Sequence, residues 1–599
     1  MEPLEKRLRR LKSCRCCRAN KTMCDSMQRR PLPCSYCAKR NIACLFDVAK
    51  PANRDNNRTG EAVRLVQGLH RLLNGFVARK EQLVGKLIHS ALFSQSLASE
   101  LEKLFIDPIP TRSHCGSFTI HSDLISQSHT ISEERARELF GYFRSEFCNY
   151  LPVLPDSFFQ LDLHHIHEES DLLFWTIIVT SYITDELTKE YHLLAAHVQN
   201  LVVVNCWFKT SRLLFSLVAL LILTSWPLPT KGYYNIQDNI AVKYSSLMKS
   251  LALQFGLHKL KHIDEFSKKT NVDIDARSDV NNIIRERLYK FVNINSNYWL
   301  VYLGISNSNY NGSHQDYIIN KATSVDLFHK EKFSDNDNFI NSLLKISLVQ
   351  LRMNERMSDL LATPNKVEKL IHLNMFETIL LGYISDDSPL YKHDLISLSL
   401  EFSKLQLFVY SLSESDISLP KYKRIIMRTL SCCEAIVELF EKCFDDRTVF
   451  ELIPIHYSFS IKLAVLVLFQ IHSSPLLPSL ESYASTKKVF RRAYDLLRID
   501  KKKKSSTTVL QVSIEKVDRC NNMQIWAKKS KTGNFFLIEK MTKYFVSISF
   551  YDMLWQVYES ERHVGNVTDV KWETFGLDPR DEKAQDIIQY FAKPSSIFD

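Results

Sequence analysis

Residues 14–44, CRCCRANKTMCDSMQRRPLPCSYCAKRNIAC, place seven cysteines in 31 positions, and no other stretch so narrows what its part of the chain can fold into. Without Cys16 the spacing is Cys14-x2-Cys17-x6-Cys24-x9-Cys34-x2-Cys37-x6-Cys44, so the unit C-x2-C-x6-C occurs twice. Thiolates paired two residues apart grip one tetrahedral zinc, which takes its other ligands from elsewhere in the chain. Two zinc ions need eight coordination slots, and six thiolates fill eight only when two sulfurs bridge. The result is a binuclear cluster of about four positive and six negative formal charges, which nearby Lys and Arg also help to form. The alternative is a single four-thiolate site made from the two CxxC pairs, itself a common zinc spacing. It leaves Cys24 and Cys44 idle despite identical offsets from their pairs. Cys16 is left over and reads as a spare exposed thiol pointing away from the metals.

Charge separates this stretch from the remainder. Residues 1–50 hold 13 Lys and Arg against Glu2, Glu5, Asp25 and Asp47, a net of +9. The whole chain carries +10, so about +1 is spread over the other 549 residues. A basic head on a neutral body suits a polyanion partner. MEPLEKRLRRLK has charge but no apolar segment after it, so it does not read as a secretory signal. The chain reads as intracellular, in a reducing compartment where disulfides are rare. The longest strongly apolar run, 213–226, has 14 residues before Pro227, too few to span a bilayer and suited to a buried core helix. No membrane partner is expected.

The cysteine stretch resembles the Zn2Cys6 binuclear zinc cluster of fungal transcription factors, matching at all six ligand positions: Cys14, Cys17, Cys24, Cys34, Cys37 and Cys44. The resemblance implies two Zn2+ per chain, bridged by the first and fourth cysteines, Cys14 and Cys34. It also implies two halves, each a short helix and an extended segment, with the first helix entering the major groove of double-stranded DNA. By position, Arg18 would contact phosphate and Lys21 would read guanine O6 and N7. Asn20 stands where a second basic residue is common and can pair with adenine, which leaves a shifted triplet open beside the CGG type. Met23 stands where the family usually has lysine, and Pro31 and Pro33 flank the position of the family's proline. Lys39 and Arg40, on the second half, would hold phosphates and set orientation.

After the cluster, 51–60 is polar and rich in breakers, as in a linker. Leu65, Leu69, Leu72, Phe76 and Leu83 then follow four- and three-residue steps, with Arg79 in the seam position between the last two. This helix reads either as a dimerisation seam that sets half-site spacing or as an amphipathic helix packed on the body. Only 14 glycines in 599 residues, against roughly 7% in average usage, argue for a helical body. Ser132 is the expected N-cap of EERARELFGYFRSEF. Several phrases between about 130 and 310, among them 151–182, 220–230, 246–260 and 285–305, resemble the middle homology region of the same family. That resemblance implies an all-helical regulatory bundle, with inducer sensing in some members. Trp175, Trp226 and Trp299 are expected in its core. Loops are expected near 306–316 and 500–522.

Other signals favour plain readings. His164, His165, His167 and Glu168 lack a second ligand pair at helical spacing and read as a polar segment. Lys501–Lys504 read as a solvated loop, and the basic residues 6–12 as the better nuclear-import candidate. The chain holds no glycine-rich nucleotide loop, GxSxG or HExxH, so no catalytic residues are assigned.

The expected fold is a small Zn2Cys6 metal-stabilised domain followed by a large all-α domain. The divisions are 8–48 for DNA binding, 49–63 a linker, 64–105 a helical segment, and 106–130 a second linker. Residues 131–565 form the helical regulatory domain, and 566–599 an acidic–aromatic tail suited to activation or to a final helix. The expected function is zinc-dependent, sequence-specific regulation of RNA polymerase II transcription in a fungal nucleus. The chain would bind paired CGG-like triplets as a homodimer, with coactivators or a small-molecule inducer as further partners. The alternative is a structural chromatin or kinetochore subunit that uses the same cluster.

Overall fold

The structure is a computed structural model. It describes residues 13–29, 33–45, 116–120, 129–184, 189–208, 214–228, 239–263, 279–303, 334–362, 366–384, 388, 390–412, 417–444, 450–497, 506–518, 522–538, 569–592 and 596–598, with single positions at 552, 555 and 558. The 64–105 seam, the basic residues 6–12 and Lys501–Lys504 lie outside the described residues. The chain divides into two compact units, Met1–His114 and Cys115–Asp599.

The described part of the first unit holds three short helices, α1 (Arg15–Ala19), α2 (Ser26–Arg29) and α3 (Ser35–Lys39). Its core is the cysteine cluster itself.

The second unit is mostly helical. It opens with an antiparallel ribbon, β1 (Ser117–Ile120) and β2 (His129–Ser132), in the register Ser117 to Ser132. Both strands touch the stretch expected as a linker, so this unit begins before the expected boundary at 131. Helix α4 (Glu133–Glu146) follows directly. Ser132 Oγ caps it by accepting the Arg135 N–H at 3.3 Å, and Glu133 and Glu134 face the positive end of its dipole. Ala136, Leu139, Phe140 and Phe143 recur at helical spacing and are buried.

Beyond α4 come α5 (Leu163–Glu169), α6 (Asp171–Ser181), α7 (Lys189–Val202), α8 (Leu214–Ser225) and α9 (Ile240–Gln254). These are followed by α10 (Asp279–Leu303), α11 (Asp335–Ala362), α12 (Lys366–Ile384), α13 (Asp394–Ser411) and α14 (Leu419–Cys443). The last are α15 (Ile455–His472), α16 (Leu480–Asp495), α17 (Ser506–Asp518), α18 (Asn522–Lys531) and α19 (Glu582–Ala592). From α8 to α11, and again from α13 to α16, each helix packs on the next in chain order.

The apolar run expected to be a core helix is α8, buried along its whole length. Among the described residues, α15 alone is long and apolar enough to cross a membrane, and it is buried inside the body. Trp175, Trp226 and Trp299 are all buried. Trp226 Nε1–H donates to the Leu452 carbonyl at 2.9 Å, and Trp299 Nε1–H to that of Thr224 at 3.1 Å. Two indoles thus join distant segments without leaving a buried donor unpaired.

One further segment differs from expectation, and the tail takes the second of its two readings, a final helix. Residues 506–518, read as loop, form α17, because Leu510, Ile514 and Val517 share one buried face. The tail folds onto the body: Phe575, Leu577, Ile587 and Ile597 are buried, and Tyr590 Oη lies 3.1 Å from His472 Nε2.

Candidate metal centre and nucleic-acid interface

Each half of the head is built the same way, twenty residues apart. Helices α1 and α3 each follow directly after the first cysteine of a CxxC pair and carry the second. Thr22 N–H donates to the Cys17 carbonyl at 2.9 Å, and Ile42 N–H to that of Cys37 at 3.0 Å. These bonds close each helix as a Schellman turn, which needs a left-handed residue just before the donor. Lys21 (φ 50°) and Asn41 (φ 53°) supply it, and no other non-glycine residue among those described has positive φ.

The halves also cap one another. Asp25 Oδ1 accepts the Ser35 N–H at 2.8 Å and its Oδ2 accepts the Ser35 hydroxyl, so a side chain after Cys24 caps α3. At the equivalent place, the Leu45 carbonyl accepts the Arg15 N–H at 2.8 Å and caps α1. Arg29 Nη1 donates to Ser35 Oγ at 2.7 Å. The hydroxyl and N–H of Ser35 hold the Asp25 carboxyl below its usual range. Sequence reasoning passed over Asp25 and Ser35. The signal was available, a cap-forming residue directly after Cys24 and another directly after Cys34.

The turns bring six sulfurs together. Cys14, Cys17, Cys24 and Cys34 form one set and Cys14, Cys34, Cys37 and Cys44 another, with the sulfurs of each set within 4.8 Å of one another. The two sets share Cys14 and Cys34. Sulfur separations are 3.9 Å for Cys14–Cys34, 3.6 Å for Cys14–Cys37 and 3.5 Å for Cys17–Cys34. Disulfide sulfurs sit about 2.0 Å apart, so these are not disulfides. A tetrahedron with metal–sulfur bonds of about 2.3 Å has edges of about 3.8 Å, which these separations match.

The donor chemistry fits a cation as well. Burial pushes the Cys34 thiol up, but the Cys37 N–H and the surrounding thiols donate to it and bring it down to about 6. Burial and the neighbouring Cys14 and Cys34 sulfurs push Cys17 up to about 12, and Cys37 also rises. Six thiols this close cannot all ionise against one another, and a dication held in each set would supply the compensating charge. Cys16 is half-buried and belongs to neither set.

The residues expected to meet DNA lie on, or directly after, α1 and α3. Asn20 and Lys21 are exposed past α1, and Lys39 and Arg40 at the end of α3. Asn20 Nδ2 donates to the Cys16 carbonyl at 2.9 Å, so its amide caps its own helix. The Arg40 guanidinium lies 4.7 Å from the centroid of the Tyr36 ring, a cation–π contact that steadies it. Arg18 lies on α1, and its side chain is outside the described residues. Met23 is 97% exposed. The histidines of α5 share no donor set: His164 pairs with Glu133 at 3.6 Å and His167 with Asp171 at 3.4 Å. Among the described residues only the cysteines converge as metal ligands.

Comparison with known proteins gives relatives of one kind. The chain is 24% identical over 441 residues to the putative transcription factor SEF1 of Eremothecium gossypii, covering 72% of this chain and 39% of that protein. It is 24% identical over 456 residues to the putative transcription factor SEF1 of Kluyveromyces lactis, covering 72% and 37%. It is 25% identical over 459 residues to the transcriptional regulatory protein SEF1 of Candida albicans, covering 74% and 46%. The chain thus spans less than half the length of these curated relatives. No protein-family profile matches it, and no solved structure does.

Proposed function

We propose that this chain is a zinc-dependent, sequence-specific DNA-binding regulator of RNA polymerase II transcription, acting in a fungal nucleus. One observation carries the reading: two four-sulfur sets that share Cys14 and Cys34, beside exposed basic side chains. The similarity to fungal transcription factors supports the regulatory half.

Two zinc ions would be held by the six cysteines, with Cys14 and Cys34 bridging. Zinc supplies the charge and cross-links that let so short a segment fold. Lys21 reads a base edge. Arg18, Lys39 and Arg40 bind phosphate, Arg40 braced by Tyr36. Asn20 holds the end of α1. Paired triplets bound by a homodimer follow if 64–105 provides the seam.

Selection from randomised duplex DNA by the zinc-loaded full chain, at stated near-physiological salt, tests the reading. Two GC-rich triplets at fixed spacing are expected. Lys21→Ala should lose about 1–3 kcal/mol of base discrimination. The absence of any enriched sequence would overturn the reading.

A further inference from the structure

Met23 is 97% exposed, more than any other large apolar side chain among the described residues; Phe208 follows at 75%. A single exposed apolar residue is ordinary on a folded surface. This one, however, lies two residues after Lys21, in a stretch held against the cysteine cluster, and the proposed function leaves it unused.

The backbone on both sides of Met23 is anchored. The Thr22 N–H closes α1 on the Cys17 carbonyl at 2.9 Å, and the Cys14 N–H donates to the Cys24 sulfur at 3.4 Å. Over the same stretch the side chains divide. The Asn20 amide donates to the Cys16 carbonyl, and the Thr22 hydroxyl bonds the Cys17 sulfur. Lys21 and Met23, on either side of Thr22, are left exposed. The second half, twenty residues on, has Ala43 in the place of Met23. The large apolar side chain thus belongs to the half that carries the proposed base reader, and not to the half assigned to phosphate.

We infer that Met23 is a specificity residue, whose side chain packs on the C5-methyl group of a thymine in the major groove. The inference rests on the DNA-binding reading above. Phosphates offer charge, which methionine cannot meet. Among the base edges of the major groove, the thymine methyl is the apolar group that a side chain can cover. Methionine suits it, being unbranched, polarisable and able to adapt to an irregular surface. A two-residue step spans at most ~7 Å of chain, about two base-pair rises of ~3.4 Å. The thymine therefore lies within two base pairs of the guanine that Lys21 reads.

The test selects sites from randomised duplex DNA with the zinc-loaded full chain and with its Met23→Ala variant. The unsubstituted chain should enrich a thymine within two base pairs of the guanine that Lys21→Ala no longer selects. Met23→Ala should lose that thymine and keep the guanine, with zinc content unchanged. Replacing the thymine by deoxyuridine, which lacks only the methyl group, should weaken the unsubstituted chain about fourfold, the worth of one methyl taken from water. The same replacement should leave Met23→Ala unaffected, a result that a merely structural role for Met23 would not give. Guanine recovered without a thymine would overturn this inference alone, as would an equal loss on deoxyuridine in both chains. The absence of any enriched sequence would overturn the DNA-binding reading, and the inference with it.

Discussion

The head buries Cys14, Cys17, Cys34 and Cys37 completely and little else, whereas the body buries whole helices such as α8 and α15. Among the described residues of the head, only cysteines are fully buried, with Tyr36 packed against them. A segment this short removes little surface from water to offset its chain entropy, and metal–sulfur bonds at the cluster would supply what is missing. The body faces the opposite constraint. Its aromatic and aliphatic core is ample, and several of the polar groups it buries are paired within it, as the indoles of Trp226 and Trp299 are. One unit answers to metal supply, the other to packing and to the protonation of what it buries.

Removing zinc should separate the two most sharply. Structural zinc contributes on the order of 10–16 kcal/mol of apparent folding free energy in small zinc domains at neutral pH. A strong chelator should release two zinc ions per chain and abolish DNA binding, leaving the body's helical circular dichroism and thermal transition unchanged. Zinc at one per chain would restore the single four-thiolate site. A body that melts with the head would erase the contrast.

Trp226→Ala probes the other side. It removes an indole that packs edge-on against Phe147 at 5.0 Å and bonds Leu452. The expected loss is about 3–5 kcal/mol of body stability by urea denaturation, with zinc content unchanged.

Acid should act on the body at an intermediate scale. His456 lies stacked against Tyr298 at 4.9 Å, and burial lowers its pKa from 6.5 to about 3. Burial, with help from Lys487, lowers that of His472 to about 4. Both are neutral when folded and take up protons when unfolded. Their stabilisation is therefore complete above about pH 6.5 and is lost as pH falls from there toward the folded values. At pH 5 each should cost the body about 2 kcal/mol. His456→Phe should flatten the slope of stability against pH between 6.5 and 5; an unchanged slope would assign the acid sensitivity elsewhere.

What could be read from sequence divides along the same line. The gathering of six cysteines was legible because the C-x2-C-x6-C unit repeats, and the two four-sulfur sets are drawn from those six. Helix α4 was legible through its cap at Ser132, and α8 through unbroken apolarity. Helix α17 was not. Four lysines precede it and a Ser/Thr run makes its first turn, and they hide the spacing of Leu510, Ile514 and Val517. The β1–β2 ribbon escaped notice because each strand has only four residues, too few for alternation to stand out. The tail's acidic residues suggested solvent exposure, but Phe575 and Ile587 fix its place on the body. Least legible was the handedness at Lys21 and Asn41, since composition says nothing of φ where the residue is not glycine.

That handedness gives the smallest prediction, a comparison between the two halves of the head. A left-handed residue with a Cβ costs roughly 1–2 kcal/mol, less for asparagine, whose short polar side chain tolerates the region. Lys21→Gly should therefore stabilise the head by about 1 kcal/mol, and Asn41→Gly by a few tenths. Zinc release to a chromophoric chelator along a urea titration reads both. If Lys21 is held there to face a base, Lys21→Gly strengthens the head while weakening specific DNA binding, and Asn41→Gly leaves binding as it was. Strain concentrated at a working residue is a known pattern. Equal gains at both positions, with DNA binding untouched, would make the two turns structurally equivalent and remove the reason to single out Lys21.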